Sequence, residues 1–127
     1  MDKKFIEKCV NDFNKFIEFN ETEKPTLSAK VEVFGKKDCF KLNSLLGYQK
    51  PVSAPNYNQE QYPIIDLMFE LALQGKLYYK GNDAKGKPAL LKAPRLDYYV
   101  ELNNFEKYVF PLQTYWTKYE FMKKFDR

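Results

Sequence analysis

The chain contains no histidine and only two cysteines, and these shortages exclude several kinds of site. Without imidazole there is no Ser-His-Asp triad, no Cys-His nucleophile pair and no zinc site that needs a histidine ligand. Two cysteines alone cannot form a structural zinc site, and Cys9 and Cys39 each fall on the apolar side of a predicted helix. We therefore expect two buried free thiols, with no disulfide, metal or cofactor.

Long apolar runs are also missing. No run approaches the roughly 18 residues that a membrane-spanning helix needs, and residues 1–13 lack the apolar segment of a signal peptide. Hydrophobic residues make up 44% and aromatic residues 17% of the 127-residue chain, which favours a folded core over disorder. We expect one domain covering residues 1–127, located in the cytoplasm and away from membranes.

Helical periodicity predicts three helices before residue 76. Apolar residues recur every three to four positions in residues 2–19, in residues 36–46 and in a third segment, which begins between Asn58 and Pro63 and ends at Gln74. The third segment is apolar around most of its circumference, so it should be the most buried helix. The second helix is expected to bury Cys39, Leu42, Leu45 and Leu46. The residues expected to stop the three helices are Pro25, Gly47 and Gly75.

Two further segments carry the signals of β-strands. Residues 26–33 alternate apolar and polar side chains, which predicts a half-buried strand. Its buried face would contain Leu27, Ala29, Val31 and Val33. Residues 77–79 and 88–93 are predicted to form an antiparallel hairpin, since the turn between them is rich in glycine, asparagine and aspartate.

A last helix is predicted from near Asn103, with a kink at Pro111. The complete order is then helix, strand, helix, helix, hairpin, helix, which is the order of a winged-helix domain with an added C-terminal helix. The predicted fold class is α+β, winged-helix-like and mostly helical, with a small antiparallel hairpin.

Three stretches carry a resemblance to a known family. GKKDCFKLNSLL, YNQEQYPIIDLMFELALQGKLYYK and LNNFEKYVFPLQTYW resemble a region of uncharacterised bacterial proteins related to a plasmid open-reading-frame-three family, some of which are labelled as insertion-element passengers. The resemblance covers roughly residues 36–120. Its most distinctive piece is Gln-Thr-Tyr-Trp at 113–116, and Pro111 departs from its pattern. It implies no catalytic residues, and because members tend to be larger, this chain would be a fragment or a stand-alone relative.

The third predicted helix is poorly suited to reading DNA. In winged-helix DNA readers this helix enters the major groove, so it carries Lys, Arg, Asn or Gln on its exposed face. Here no Lys or Arg lies between Lys50 and Lys76, and Asp66, Glu70 and Gln74 form an acidic stripe. Such a stripe would repel a polyanion.

Basic residues concentrate after the third helix. From residue 76 to the end, eleven Lys or Arg stand against six Asp or Glu. The candidate nucleic-acid contacts are Lys80, Lys85, Lys87 and Lys92 of the hairpin, with Tyr78 or Tyr79 as a supporting backbone or base contact. Lysine in turns and on edge strands is also an ordinary device for solubility and against sheet-edge pairing, and that interpretation is favoured.

Catalysis finds little support in the sequence. Asp66 and Glu70 stand at i and i+4, a spacing more typical of a solvated helix face than of an acid-base pair. The spacing of Gly75, Gly81 and Gly86 matches no phosphate-binding loop. We therefore do not expect an enzyme.

The final aromatic stripe supplies the candidate protein-interaction residues, which are Tyr115, Trp116, Tyr119 and Phe121. The alternative, that these residues pack on the first helix, is favoured for most of the stripe. The sequence thus predicts a non-catalytic protein-interaction or accessory module of a bacterial protein. The alternative is a DNA-binding winged-helix domain that contacts phosphate through its basic wing. The expected partner is another protein or a neighbouring domain, with a homodimer or nucleic acid as further options.

Overall fold

The computed structural model describes residues 3–101 of the chain. This part contains four α-helices and one two-stranded antiparallel hairpin, so the predicted α+β, mostly helical class is confirmed. None of these helices is both long enough and apolar enough to cross a bilayer. The elements are α1 (Lys3–Glu23), α2 (Lys36–Leu45), α3 (Pro63–Gln74), β1 (Tyr78–Asn82), β2 (Pro88–Lys92) and α4 (Pro94–Glu101), with a 3-10 turn at Gln59–Gln61.

Helix α1 continues past its predicted end at residue 19 and stops at Glu23. Polar side chains in this last turn bond to the helix itself: the Asn20 amide donates to the Phe16 carbonyl at 2.8 Å, and the Thr22 hydroxyl donates to the Glu18 carbonyl at 2.8 Å. The helix ends where Lys24 adopts φ 45° and a proline follows. Pro25 was therefore predicted correctly as the residue that stops the helix, whereas the helical structure of the polar residues before it was not predicted.

The strand predicted for residues 26–33 is wrong. Only isolated bridges form, between Thr26 and Ala89 and between Leu27 and Phe34. The chain reverses between these bridges because the Glu32 amide donates to the Ser28 carbonyl at 3.0 Å and Glu32 adopts φ 53°. Ala29 and Val31, which were expected on the buried face, are exposed as a result, Val31 to 65%.

Helices α2 and α3 lie where the periodicity predicted them. Helix α3 begins at Pro63, which is tolerated in a first turn because the missing N–H would have no helical partner there. Helix α2 ends at Leu45, two residues before Gly47. Its Leu45 was expected to be buried but is 47% exposed.

Phe34 lies at the centre of the core, in the loop before α2. Its ring centroid is 5.9 Å from that of Phe16, 6.1 Å from that of Phe19 and 5.2 Å from that of Phe69, so one side chain joins α1 to α3. Its backbone N–H donates to Oε1 of the fully buried Gln59 at 2.9 Å. This bond fixes the loop on the 3-10 turn that precedes α3.

Both cysteines are free, as predicted. Cys39 is fully buried in α2, whereas Cys9 is only half-buried in α1. Burial raises the pKa of Cys39 to about 12 and that of Cys9 to about 11, with nearby carboxylates adding to both shifts. The thiols therefore behave as packing groups.

The hairpin forms as predicted, with β1 longer than expected. Tyr78 pairs with Lys92 and Asn82 with Pro88 at the two ends of the ladder. On the other side of β2, the Leu27 amide donates to the Pro88 carbonyl at 2.7 Å. The segment after α1 thus lies beside β2, joined to it by this bond and by the isolated Thr26–Ala89 bridge.

Helix α4 was not predicted. Pro94 starts it, and Leu96 and Tyr99 are buried one turn apart, with the Tyr99 ring centroid 5.6 Å from that of Phe13. The helix predicted from Asn103, with its kink at Pro111, lies outside the described residues.

Candidate interaction surface

Helix α3 packs into the core on almost every side. Only Pro63 and Gln74, at its two ends, are exposed. Asp66 and Glu70 are half-buried, and Oδ1 of Asp66 accepts a hydrogen bond from Nε2 of Gln59 at 3.0 Å. The acidic face predicted for this helix is therefore only partly solvated, and it offers no stripe of exposed donors that could enter a groove of DNA.

The four candidate lysines of the hairpin are all exposed, but they do not face one direction. The Lys80 ammonium lies over Phe69 of α3, 5.8 Å from the ring centroid. Nζ of Lys92 lies 2.7 Å from Oδ1 of Asp97, and this hydrogen bond and charge raise the pKa of Lys92. Lys80 is thus separated from the other three candidates, and Lys92 already has an acidic partner.

An ionised carboxylate lies at the tip of the hairpin. Oδ1 of Asp83 accepts the backbone N–H groups of Lys85 and Lys87, each at 2.9 Å. The bonds from Lys87 and Lys85 and the nearby ammonium groups hold the pKa of Asp83 below its ordinary value. Gly86 completes the turn with φ 79°. The tip therefore carries both signs of charge.

A groove of about 630 Å³ runs between the end of α1 and the hairpin, and we call it the α1–hairpin groove. It brings together three of the four candidate lysines, and Lys80 does not line it. Its lining residues are Asn20, Glu21, Lys24, Pro25, Thr26, Tyr78, Asp83, Ala84, Lys85, Lys87, Ala89, Leu90, Leu91 and Lys92.

The floor of the groove is apolar and fixed in place. Pro25, Tyr78 and Ala89 are buried lining residues. The Tyr78 hydroxyl donates to Oε1 of Glu21 at 2.9 Å, which ties the floor to the last turn of α1. Burial, and then this carboxylate, raise the pKa of Tyr78, so the phenol stays protonated as the donor. The expected role of Tyr78 in touching a base or phosphate backbone does not fit its burial, whereas Tyr79 is 52% exposed.

The rim of the groove carries three lysines, and the Asp83 carboxylate lies near enough to Lys85 and Lys87 for the charges to attract. Lys24, Lys85 and Lys87 are exposed, and none of them forms an ion pair with another residue of the described range 3–101. The two carboxylates of the groove are engaged, that of Glu21 by the Tyr78 hydroxyl and that of Asp83 by backbone N–H groups. The rim thus combines three lysines that form no ion pair within that range with two carboxylates that already accept hydrogen bonds.

Two residues of this surface, Glu21 and Lys24, were missed in the sequence. Both belong to the tract expected to lie beyond the first helix, and the extra turn of α1 and the Thr26–Ala89 bridge carry them to the hairpin. No pattern in the sequence near residues 21–26 indicates that this bridge will form. The predicted interaction residues Tyr115, Trp116, Tyr119 and Phe121 lie outside the residues that the structure describes.

Acidic and thiol groups do not converge elsewhere in a way that suggests a metal centre. Within residues 3–101, no three Asp, Glu or Cys side chains cluster as metal ligands would.

Comparison with protein-family models, with curated proteins and with solved structures finds no match to this chain. A functional assignment therefore has to come from the chain's own geometry.

Proposed function

We propose that the chain is a non-catalytic protein-interaction module on a winged-helix-like scaffold. The order of three helices followed by a hairpin supports this scaffold. The bridge between Thr26 and Ala89 adds further support, because it sets the segment between α1 and α2 beside the hairpin, where a winged-helix domain has its first strand. In this scaffold α3 occupies the place of the DNA-reading helix.

The α1–hairpin groove is the observation that carries the proposal. Its floor is apolar, and its rim carries carboxylates as well as lysines. A protein partner can complement both signs of charge and cover apolar surface, as protein interfaces do. A phosphate backbone is charged along its length and has no apolar side chains that could cover the floor. The groove therefore suits a peptide better than a phosphate backbone.

The burial of α3 points the same way. A DNA reader needs an exposed recognition helix with donors for base edges, and α3 exposes only its two terminal residues. Its polar residues Asp66 and Glu70 are acidic and half-buried. Of the two elements that a winged-helix domain presents to DNA, α3 is thus less exposed than the hairpin in the described residues.

Selection from a phage-displayed library of random peptides, with the full chain as bait, tests the proposal. We expect enriched peptides that bind the purified chain with one-site stoichiometry in fluorescence anisotropy. Failure to enrich any peptide, together with salt-sensitive binding of duplex DNA, would contradict the proposal.

Nucleic-acid binding by the hairpin is the second candidate, and the open lysines at the groove favour it. Anisotropy of a labelled random-sequence duplex at about 50 and 200 mM salt measures it, since a few phosphate contacts cause a large loss of affinity with salt. Under our proposal, no salt-sensitive binding is expected. If binding occurs, the double variant Lys85→Glu/Lys87→Glu should abolish it, and Lys30→Glu/Lys36→Glu serves as the control of equal charge because both lysines are exposed outside the groove.

A further inference from the structure

We propose that the α1–hairpin groove binds an extended acidic segment of a partner protein. Aspartate or glutamate side chains of this segment would contact Lys24, Lys85 and Lys87, and small apolar side chains between them would lie on the floor. This inference rests on the proposed interaction function and names the chemistry of the partner.

The charge of the groove selects an acidic partner. Lys24 lies at the end of α1, and Lys85 and Lys87 lie at the tip of the hairpin, so the open ammonium groups stand on two sides of the groove. The lining of the groove holds four lysines against the two carboxylates of Glu21 and Asp83. The surplus is positive, and incoming carboxylates would complement it.

The shape of the groove selects an extended chain. Leu90, Leu91 and Lys92 line it in succession, so it follows the direction of β2. A five-residue strand such as β2 extends about 17 Å, which matches about five residues of an extended peptide.

The edge of β2 beyond the Thr26–Ala89 bridge provides a short backbone template along the same path. Hydrogen bonds join Asp83 to Lys87 and Leu77 to Ala93 at the two ends of the hairpin. Because bonded pairs alternate in an antiparallel ladder, the backbone groups of Pro88, Leu90 and Lys92 point away from β1. The first of these residues already has a partner, because the Leu27 N–H donates to the Pro88 carbonyl. Thr26 also bridges Ala89, so a peptide strand could extend the sheet only along the part of the edge from Leu90 to Lys92.

The floor of the groove favours a peptide in which small apolar side chains alternate with acidic ones. Ala89 is 7% exposed and Tyr78 is 3% exposed, and the half-buried Leu90 and Leu91 flank them. An extended peptide directs successive side chains to opposite faces. Every second residue can therefore lie on this floor while the others reach the lysines at the rim.

Fluorescein-labelled decapeptides provide the test. The probe alternates aspartate and valine, one control peptide alternates asparagine and valine, and a second alternates aspartate and serine. Each is titrated by anisotropy with the full chain, with Lys24→Glu/Lys85→Glu/Lys87→Glu and with Lys30→Glu/Lys36→Glu/Lys37→Glu. The second triple variant changes the net charge equally at exposed lysines outside the groove.

The aspartate-valine peptide is expected to bind the full chain, to lose at least tenfold in affinity with the groove variant and to change less than threefold with the control variant. Both control peptides should bind at least fivefold more weakly. Equal losses with the two triple variants, equal binding of the asparagine-valine peptide, or no binding at all would overturn the inference. The interaction function itself would still stand if library peptides bound at another surface. A duplex DNA whose binding depends on the same three lysines would overturn both proposals.

Discussion

Replacing Asp12 should separate α1 from the loop that follows α2. Asp12 is 3% exposed, and its Oδ1 and Oδ2 accept the backbone N–H groups of Gly47 at 2.6 Å and Tyr48 at 3.0 Å. One buried carboxylate of α1 thus holds two consecutive residues of a loop that is distant in sequence. The Lys8 ammonium lies over the Tyr48 ring, 4.2 Å from its centroid, and closes the other side of this contact.

The cost of Asp12→Ala follows from these two bonds. Hydrogen bonds to a charged group contribute about 1.5 to 3 kcal/mol each, and their loss is greatest when the other partner stays buried. Gly47 is exposed and Tyr48 is half-buried, so water can reach part of the freed N–H groups. We therefore expect a loss of about 2 to 3 kcal/mol rather than the full sum. Asp12→Asn keeps one acceptor oxygen and should lose about half as much.

Urea denaturation followed by circular dichroism measures these losses for the full chain, with unchanged slopes required for comparison. Glu18→Ala is the matched control, because Glu18 lies on the exposed side of the same helix and its side chain pairs with that of Lys15 at 3.9 Å. It should change the free energy of unfolding by less than about 0.5 kcal/mol. If Asp12→Ala were no more costly than this control, the carboxylate would not hold the loop, and our account of this contact would be refuted.

Three further predictions concern the core and the hairpin. Burial raises the pKa of the Cys39 thiol from 9.0 to about 12, so the neutral thiol stabilises the fold fully below pH 9 and this stabilisation is lost as the pH rises toward 12. Over that range the free energy of unfolding should fall by about 1.4 kcal/mol per pH unit more steeply than in Cys39→Ala, and parallel pH profiles of the two proteins would contradict this. Gln59→Leu should cost about 2 to 3 kcal/mol in urea denaturation, because it leaves the buried Phe34 N–H without its acceptor, and a loss below about 1 kcal/mol would show that this bond is unimportant. Gly86→Ala should cost about 1 kcal/mol, because φ is 79° there, whereas an unchanged midpoint would show that the turn relaxes.

The elements predicted correctly are those whose signals are local. Helix α3 has an apolar period, a proline in its first turn and a glycine after its end, and all three signals lie within a few residues of the helix. The turn residues likewise predict the hairpin, because Asp83 accepts the hydrogen bonds and Gly86 adopts the positive φ that the turn requires.

The errors arise where contacts distant in sequence decide the structure. Residues 26–33 alternate as a strand would, yet only Thr26 and Leu27 find partners, and the chain reverses before Phe34. The last turn of α1 is polar, and it persists because Glu21 meets the Tyr78 hydroxyl across the groove. Alternation and polarity describe a segment by itself, so they do not show which partner it will have.

The groove illustrates the same limit for the candidate site. The basic hairpin was visible in the sequence, and three of its four candidate lysines do line the groove. Nothing local indicated that Glu21 and Lys24 would join them or that Lys80 would lie over Phe69. The combination of an apolar floor with lysines at the rim therefore became visible only once α1 and the hairpin were placed side by side.

Chemical-shift mapping tests the central claim most directly. Amide spectra of the ¹⁵N-labelled full chain would be recorded during titration with the aspartate-valine decapeptide. We predict that the largest shift changes cluster in residues 20–26 and 83–92, on the two sides of the groove, and that they disappear in Lys24→Glu/Lys85→Glu/Lys87→Glu. Changes centred on α3, or changes scattered over the surface, would contradict the assignment of the groove as the binding site.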